Sequence, residues 1–279
     1  MSMPHYLGTL IRCHHVEERR IAFYQEIGLN CVQIAGVYEP YLAPTPEAHA
    51  KSDEQFALFQ KYGLDVPTMF LSFPGKEGVG MGFIPPEARA ERMVLACRQM
   101  LWGKRYGVKY VTCHVGFLPN DNEPFYQAFI SDLKQIVQFA AEQGQDFLLE
   151  IGSEPVPGLK RMLADVGMPN MGINFDPANF LWYGSDVPAN MLRTMPEAIK
   201  VVHCKDANPA LPGQPHGLET VLGLGSTRFA ELLTALVKTG FSGPLIFERE
   251  LPFGPEQEAD VKDAVQFIKA ILARAQATF

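Results

Sequence analysis

The sequence predicts an α/β fold: a single (β/α)8 TIM barrel, one domain over residues 1–279. Three observations predict it. Apolar strand-like runs alternate with helix-patterned segments from one end of the chain to the other. The alternation repeats eight times over roughly 250 residues, the usual length of such a barrel. No linker or shift in composition divides the chain, and a doubly wound open sheet rarely reaches eight units without one.

The strands, in order, are "YLGTLIRC" (6–13), "CVQIAG" (31–36), "VPTMFLSF" (66–73) and "VKYVTCHVG" (108–116). They continue with "FLLEIG" (147–152), "MGINFD" (171–176), "IKVVHCKD" (199–206) and "PLIFERE" (244–250). Between the third and fourth lies a helical pattern over 85–107. Pro86 suits its first turn, and Gly107 suits its stop. In 128–144 apolar residues recur every three to four positions before a terminal glycine. A last helix, 256–276, follows the eighth strand. The Gly-rich "PGKEGVGMGF" (74–83) fits neither common nucleotide-binding glycine motif and reads as a mobile βα loop. The segment 207–226 is long for a βα loop, which suits a lid or a subunit contact.

Composition narrows the function. The formal net charge is −7, and no basic run or stripe appears, so a nucleic-acid partner is not expected. Five scattered cysteines without a C-x-x-C pair fit a reducing compartment. The first residues lack the layout of a signal peptide, and no apolar run approaches the ~18 residues of a membrane span. A cytoplasmic protein with no membrane partner is expected.

In a barrel of this kind the active site lies at the C-terminal ends of the strands. There the fifth strand reaches Glu150, the sixth Asp176, the seventh His203 and the eighth Glu248. Side chains alternate along a strand, so Leu148, Asn174, Val201 and Ile246, two residues earlier, also face the interior. By the same parity the fourth strand points Thr112 and His114 inward. Singly, an acid after a strand is usually a helix N-cap, and a histidine in a strand is usually a hydrogen-bonded core residue. Four such residues at equivalent ends of consecutive strands are hard to obtain from capping alone. Three carboxylates and an imidazole suit an octahedral Mn2+, Mg2+ or Co2+, with about two positions left for water or substrate.

Several neighbours are candidates for substrate binding. Lys205 points into the same mouth, either to hold an anionic substrate group or to pair with a carboxylate. Glu154 is a partner of the site or a helix-start residue. His114 is a substrate contact or a buried structural group, and Asn174 orients a ligand or binds substrate. Trp182 and Tyr183 read first as helix-packing residues. Of the adjacent His14 and His15, at most one can line the mouth.

"FLLEIGSE", "GINFDPANFLWYG", "VVHCKDA" and "PLIFERE" together resemble the xylose-isomerase-like TIM-barrel superfamily, and within it the sugar phosphate isomerase/epimerase family. The likeness runs over the whole chain, takes in "FIPPEARAERM" (83–93) and "CHVGFLP" (113–119), and is most specific over 108–250. It implies Glu150, Asp176, His203 and Glu248 as metal ligands, with Glu150 and Glu248 also as acid and base. His114 matches a histidine that relatives often carry near the site. The implied activity is isomerisation or epimerisation of a small sugar, sugar phosphate or keto-acid sugar. It proceeds by proton abstraction, with the enediolate stabilised by the cation. Mn2+ is the first choice of metal, with Mg2+, Co2+ or Zn2+ as alternatives. A homo-oligomer, dimer or tetramer, is implied by analogy. The same site on relatives serves sugar or cyclitol dehydratases and apurinic endonuclease-type phosphodiesterases, and a non-catalytic sugar-binding subunit is a further reading. Two departures stand out. Asn179 occupies a position where epimerases and the endonucleases typically carry histidine, which counts against a trinuclear nuclease site. The loop "GLGST" (223–227) lacks the acidic residue many relatives place between the glycines.

Overall fold

A computed structural model describes residues 6–73, 82–83, 86–116 and 125–277. The Gly-rich stretch read as a mobile loop lies outside them, apart from Gly82 and Phe83. Ten strands occur among the described residues: β1 (Leu7–Arg12), β2 (Cys31–Ala35), β3 (Asp65–Phe70), β4 (Tyr110–Cys113), β5 (Asp146–Glu150), β6 (Met171–Phe175), β7 (Ile199–Cys204), β8 (Asp206–Asn208), β9 (Leu218–Thr220) and β10 (Leu245–Phe247). The helices are α1 (Glu18–Glu26), α2 (Pro46–Lys61), α3 (Pro86–Arg105), α4 (Tyr126–Glu142), α5 (Val156–Val166), α6 (Pro177–Tyr183), α7 (Pro188–Thr194), α8 (Phe229–Lys238) and α9 (Pro255–Ala277).

Eight strands close into a parallel barrel in the order β1-β10-β7-β6-β5-β4-β3-β2. The seam joins the chain's first strand to its last, with Leu7 beside Leu245 and Thr9 beside Phe247. Gly8 lets β1 press against β2, because a Cβ there would lie 2.5 Å from the Cys31 carbonyl oxygen. The alternation read from the strands holds. Leu148, Val201 and Ile246 pack with Cys31 inside the barrel, apart from the larger core between strands and helices. That outer layer is rich in fully buried rings, among them Phe59, Phe129, Phe147, Phe175 and Phe180. Each contributes about 1.5–3 kcal/mol relative to an exposed ring. α4 shows how the pattern works: Phe129, Leu133, Ile136, Val137 and Ala140 recur at helical spacing and all are buried.

The strands end earlier than the apolar runs suggest. β3 stops at Phe70 and β4 at Cys113, where their pairing ends. Past these points isolated main-chain bonds continue, Leu71 N to the Thr112 carbonyl at 2.7 Å and Phe83 N to the Val115 carbonyl at 2.9 Å, and His114 lines the mouth. The long segment after β7 is not a bare loop. β8 and β9 pair as an antiparallel hairpin, Asp206 opposite Thr220. The Asp206 carboxylate then gathers the following turn by accepting from the Gly223, Gly225 and Thr227 amides and the Thr227 hydroxyl. Among the described residues no helix is long and apolar enough to cross a membrane.

Candidate functional site

Four strands deliver the candidate ligands to one point. Glu150 ends β5, Asp176 follows β6, His203 lies one residue before the end of β7, and Glu248 follows β10. One donor atom from each lies within 4.8 Å of every other. Glu150, Asp176 and His203 are buried, and Glu248 is partly open to the cavity. Asp176 Oδ2 is buried without a hydrogen-bond partner, while His203 Nδ1 faces Glu150 Oε1 at 2.6 Å and Glu248 Oε2 at 2.8 Å, and Glu150 Oε2 meets only His114 Nε2 at 2.7 Å. Three carboxylates and an imidazole nitrogen crowding one buried point fit a cation well, because it would satisfy lone pairs that otherwise face one another. Asp176 also answers the capping alternative. Its Oδ1 accepts from the Ala178 and Asn179 amides at 2.8 and 3.2 Å and caps α6, while Oδ2 stays with the cluster.

Groups behind His203 orient it. Gln33 Oε1 lies 2.8 Å from His203 Nε2, and the Gln33 amide donates to the Thr68 hydroxyl at 3.1 Å. Gln33 therefore presents its oxygen to the ring and places the imidazole proton on Nε2, leaving the Nδ1 lone pair for a metal. The Asn174 amide also sits 2.8 Å from Nε2, and its Oδ1 has no partner. Turned by half a rotation, that oxygen accepts from the same proton. Asn174 is fully buried behind the histidine, so it is placed to orient His203 and stands away from the substrate space.

Charge in the cluster is tightly balanced. At 4.8 Å and an effective dielectric constant near 20, each carboxylate pair repels by roughly 3–4 kcal/mol. The three pairs together approach the whole stability of a typical protein, about 5–15 kcal/mol, so positive charge must enter. With protons alone, burial acts against the imidazolium of His203, yet Glu248 and Glu150 push its pKa up to about 10. His114 rises to about 9 against the same burial, through Glu150 at 2.7 Å. Burial pushes Asp176 up to about 7. For Glu150 burial is outweighed by His114 and His203, which hold the carboxyl well below its usual range. A divalent cation would replace those protons.

A cavity of about 710 Å3 opens above the cluster, lined by Glu150, Glu248, His114 and Lys205 among others. Lys205 takes both roles read for it: it lines the cavity and pairs with Glu250, with Glu248 at 3.6 Å and Asp176 at 3.8 Å. Glu154 does not cap α5. Its carboxylate accepts from the Gly152 amide at 2.9 Å, while Asp186 caps the helix through Val156 N. Trp182 and Tyr183 line the cavity, and Trp182 stacks on His216 of the hairpin. Of the paired histidines, His15 faces the cavity. Asn179 lines it too, and donates to the Ile151 carbonyl at 2.8 Å.

Sequence reading passed over Gln33, although a glutamine inside the apolar run "CVQIAG" was a signal. It also passed over Arg12, Arg20 and Phe70, which line the cavity. Arg20 was hidden in a charged stretch that reads as a solvated helix face.

The family described as xylose isomerase-like TIM barrel matches residues 21–271. Among solved structures, a xylose isomerase domain protein from Planctomyces limnophilus superposes with a TM-score of 0.87 at 26% identity, covering 99% of this chain and 100% of that one. A xylose isomerase-like TIM barrel protein from Mycobacterium smegmatis, in complex with magnesium, gives 0.72 at 14% identity over 92% and 88%. A D-tagatose 3-epimerase-like protein gives 0.75 at 16% identity over 98% and 99%. No curated protein sequence matches. The family match runs from within α1 to within α9 and spans all four ligand-bearing strands, so the chain belongs to the xylose isomerase-like TIM barrels.

Proposed function

We propose that the protein is a divalent-metal-dependent isomerase or epimerase of a small sugar or sugar derivative. The observation that carries this reading is the set of four converging donor atoms at the cavity floor, two of them on carboxylates that also line the cavity. The likeness to a D-tagatose 3-epimerase-like protein supports the sugar, and a relative solved with magnesium supports the dication. A cation held by Glu150, Asp176, His203 and Glu248 supplies Lewis-acid polarisation of the substrate oxygens; Mn2+ is the first choice, ahead of Mg2+, Co2+ and Zn2+.

The chain's own groups do the proton work. Glu150 and Glu248 come from strands separated by β6 and β7, on the two sides of the ligand set. A carbon lying between them can lose its proton to one carboxylate and regain one from the other. Return to the opposite face of the same carbon gives an epimer, and return to the neighbouring carbon gives an isomer. Lys205 sits beside Glu248 and is placed to meet negative charge growing on a substrate oxygen. His114 keeps Glu150 ionised and in place.

The test is Glu248→Gln, with metal content checked as equal to wild type. Deuterium uptake from D2O into a ketose substrate is expected to fall by about 10²- to 10⁴-fold, the usual contribution of a positioned acid–base group. Uptake at the wild-type rate would overturn the assignment. A product lighter by one water and absorbing as an enone would mean dehydration instead.

A further inference from the structure

Arg20 is a charge the proposed chemistry does not use. It lies on α1, lines the cavity beside β1, and is 6% exposed. Among the described residues its side chain makes no ion pair or hydrogen bond, and its Nε is buried without a partner. Its guanidinium stacks on the ring of Phe253 instead. An arginine cannot shed its proton to escape burial, so a covered guanidinium without an anion is costly. The cavity's other buried cations are already paired. Arg249 holds Glu219 at 2.9 Å and Asp260 at 2.8 Å, and Lys205 holds Glu250. Of the two carboxylates whose charge reaches it, Glu17 is exposed at the start of its own helix without forming an ion pair with it, and Glu258 is held by Arg19 at 3.3 Å.

Two further groups share that wall. Arg12, at the end of β1, lines the cavity and also makes no ion pair among the described residues. His15 lines it between them. Burial first, then the charges of His14, Arg20 and Arg12, hold its pKa below the ordinary value, so the ring is a neutral donor near pH 7. Two unpaired guanidiniums and an imidazole thus converge on one side of a cavity whose volume, about 710 Å3, is well above the ~300 Å3 at which ligand pockets begin.

We propose that Arg20, with Arg12 and His15, forms an anion subsite that takes the terminal phosphate or carboxylate of the substrate while its carbonyl end lies against Glu150 and Glu248. The subsite stands on its own geometry; the claim that its ligand is the substrate's far end rests on the isomerase reading. A planar guanidinium fork matches either oxyanion in two-point fashion, which explains why the buried member is arginine and not lysine.

The experiment has two arms. In the first, inorganic phosphate and acetate are titrated separately into the purified protein by calorimetry. Arg20→Gln is expected to weaken the oxyanion that binds by about 10- to 100-fold, the worth of a charge-assisted pair of hydrogen bonds. The exposed Arg12→Gln is expected to weaken it several-fold, and Arg20→Lys by an intermediate amount, because it keeps charge but loses the fork. These two variants answer the question even where Arg20→Gln fails to fold. In the second arm, KM is compared for a neutral ketose, its terminal phosphate and the matching sugar acid. Arg20→Gln is expected to raise KM for one anionic substrate alone, and which one identifies the oxyanion. Phosphate and acetate affinities unchanged in Arg20→Lys and Arg12→Gln would overturn the subsite. Failure of the isomerase reading looks different: no sugar exchanges deuterium, while the first arm still responds to Arg20.

Discussion

Gln33 and His203 stand 170 positions apart in sequence and 2.8 Å apart in the fold. That single contact decides which nitrogen of His203 is free. Gln33→Leu keeps the volume but removes the acceptor, and is expected to lower affinity for Mn2+ or Co2+ by about 10- to 100-fold without loss of folding. A metal titration followed by circular dichroism checks both halves; unchanged affinity would mean that Asn174 alone holds the ring. The four candidate ligands were legible because each ends a strand, where parity and barrel geometry give it a direction. Gln33 and Arg20 were not, because nothing local distinguishes them. Gln33 acts through a strand on the far side of the barrel, and Arg20 sits among charged neighbours on a helix. Asp176 shows why capping and ligation were hard to separate in advance: a carboxylate has two oxygens, and here they do different things.

The hairpin β8–β9 is the element that sequence reasoning resolved least. Its strands are three residues each and carry little β signal, and the segment reads as Pro- and Gly-rich loop. Its order comes from side chains instead. Asp206 gathers Gly223, Gly225 and Thr227, and Gly225 is required because a Cβ would lie 2.2 Å from the Asp206 carboxylate. Glu219 binds Arg249 and accepts from the Glu250 amide at 3.1 Å, tying the hairpin to the chain just past Glu248. Asp206→Ala leaves the three amides and the Thr227 hydroxyl without their acceptor. It is expected to cost about 2–4 kcal/mol in urea unfolding and to speed protease cleavage within 207–226. Unchanged cleavage would mean that the hairpin strands alone hold the segment.

For the whole molecule, the barrel's strand count was readable from eight repeats, but the register of its closing seam was not, because Leu7 and Leu245 meet only once every intervening unit is in place. The concentrated acid at the mouth is expected to make stability depend on a cation that fills it. At a free concentration 100 times the Kd, a cation that binds only the folded chain adds about 2.7 kcal/mol. For a chain this long that corresponds to roughly 5–10 °C in Tm. Mn2+ is expected to raise Tm by that amount in wild type and chelation to reverse it, with no shift in a Glu150→Gln, Asp176→Asn double variant. An equal shift in the variant would place the stabilising site elsewhere. The hairpin also bears on how such a protein can diversify. Its stems are anchored at Asp206 and Glu219, whereas its tip, 209–216, touches the cavity wall where His216 meets Trp182 and Tyr183. Insertions and randomised residues confined to the tip reshape the entrance while Glu150 and Glu248 keep their places. New binding preferences can therefore arise there by drift or by directed evolution without rebuilding the floor of the cavity.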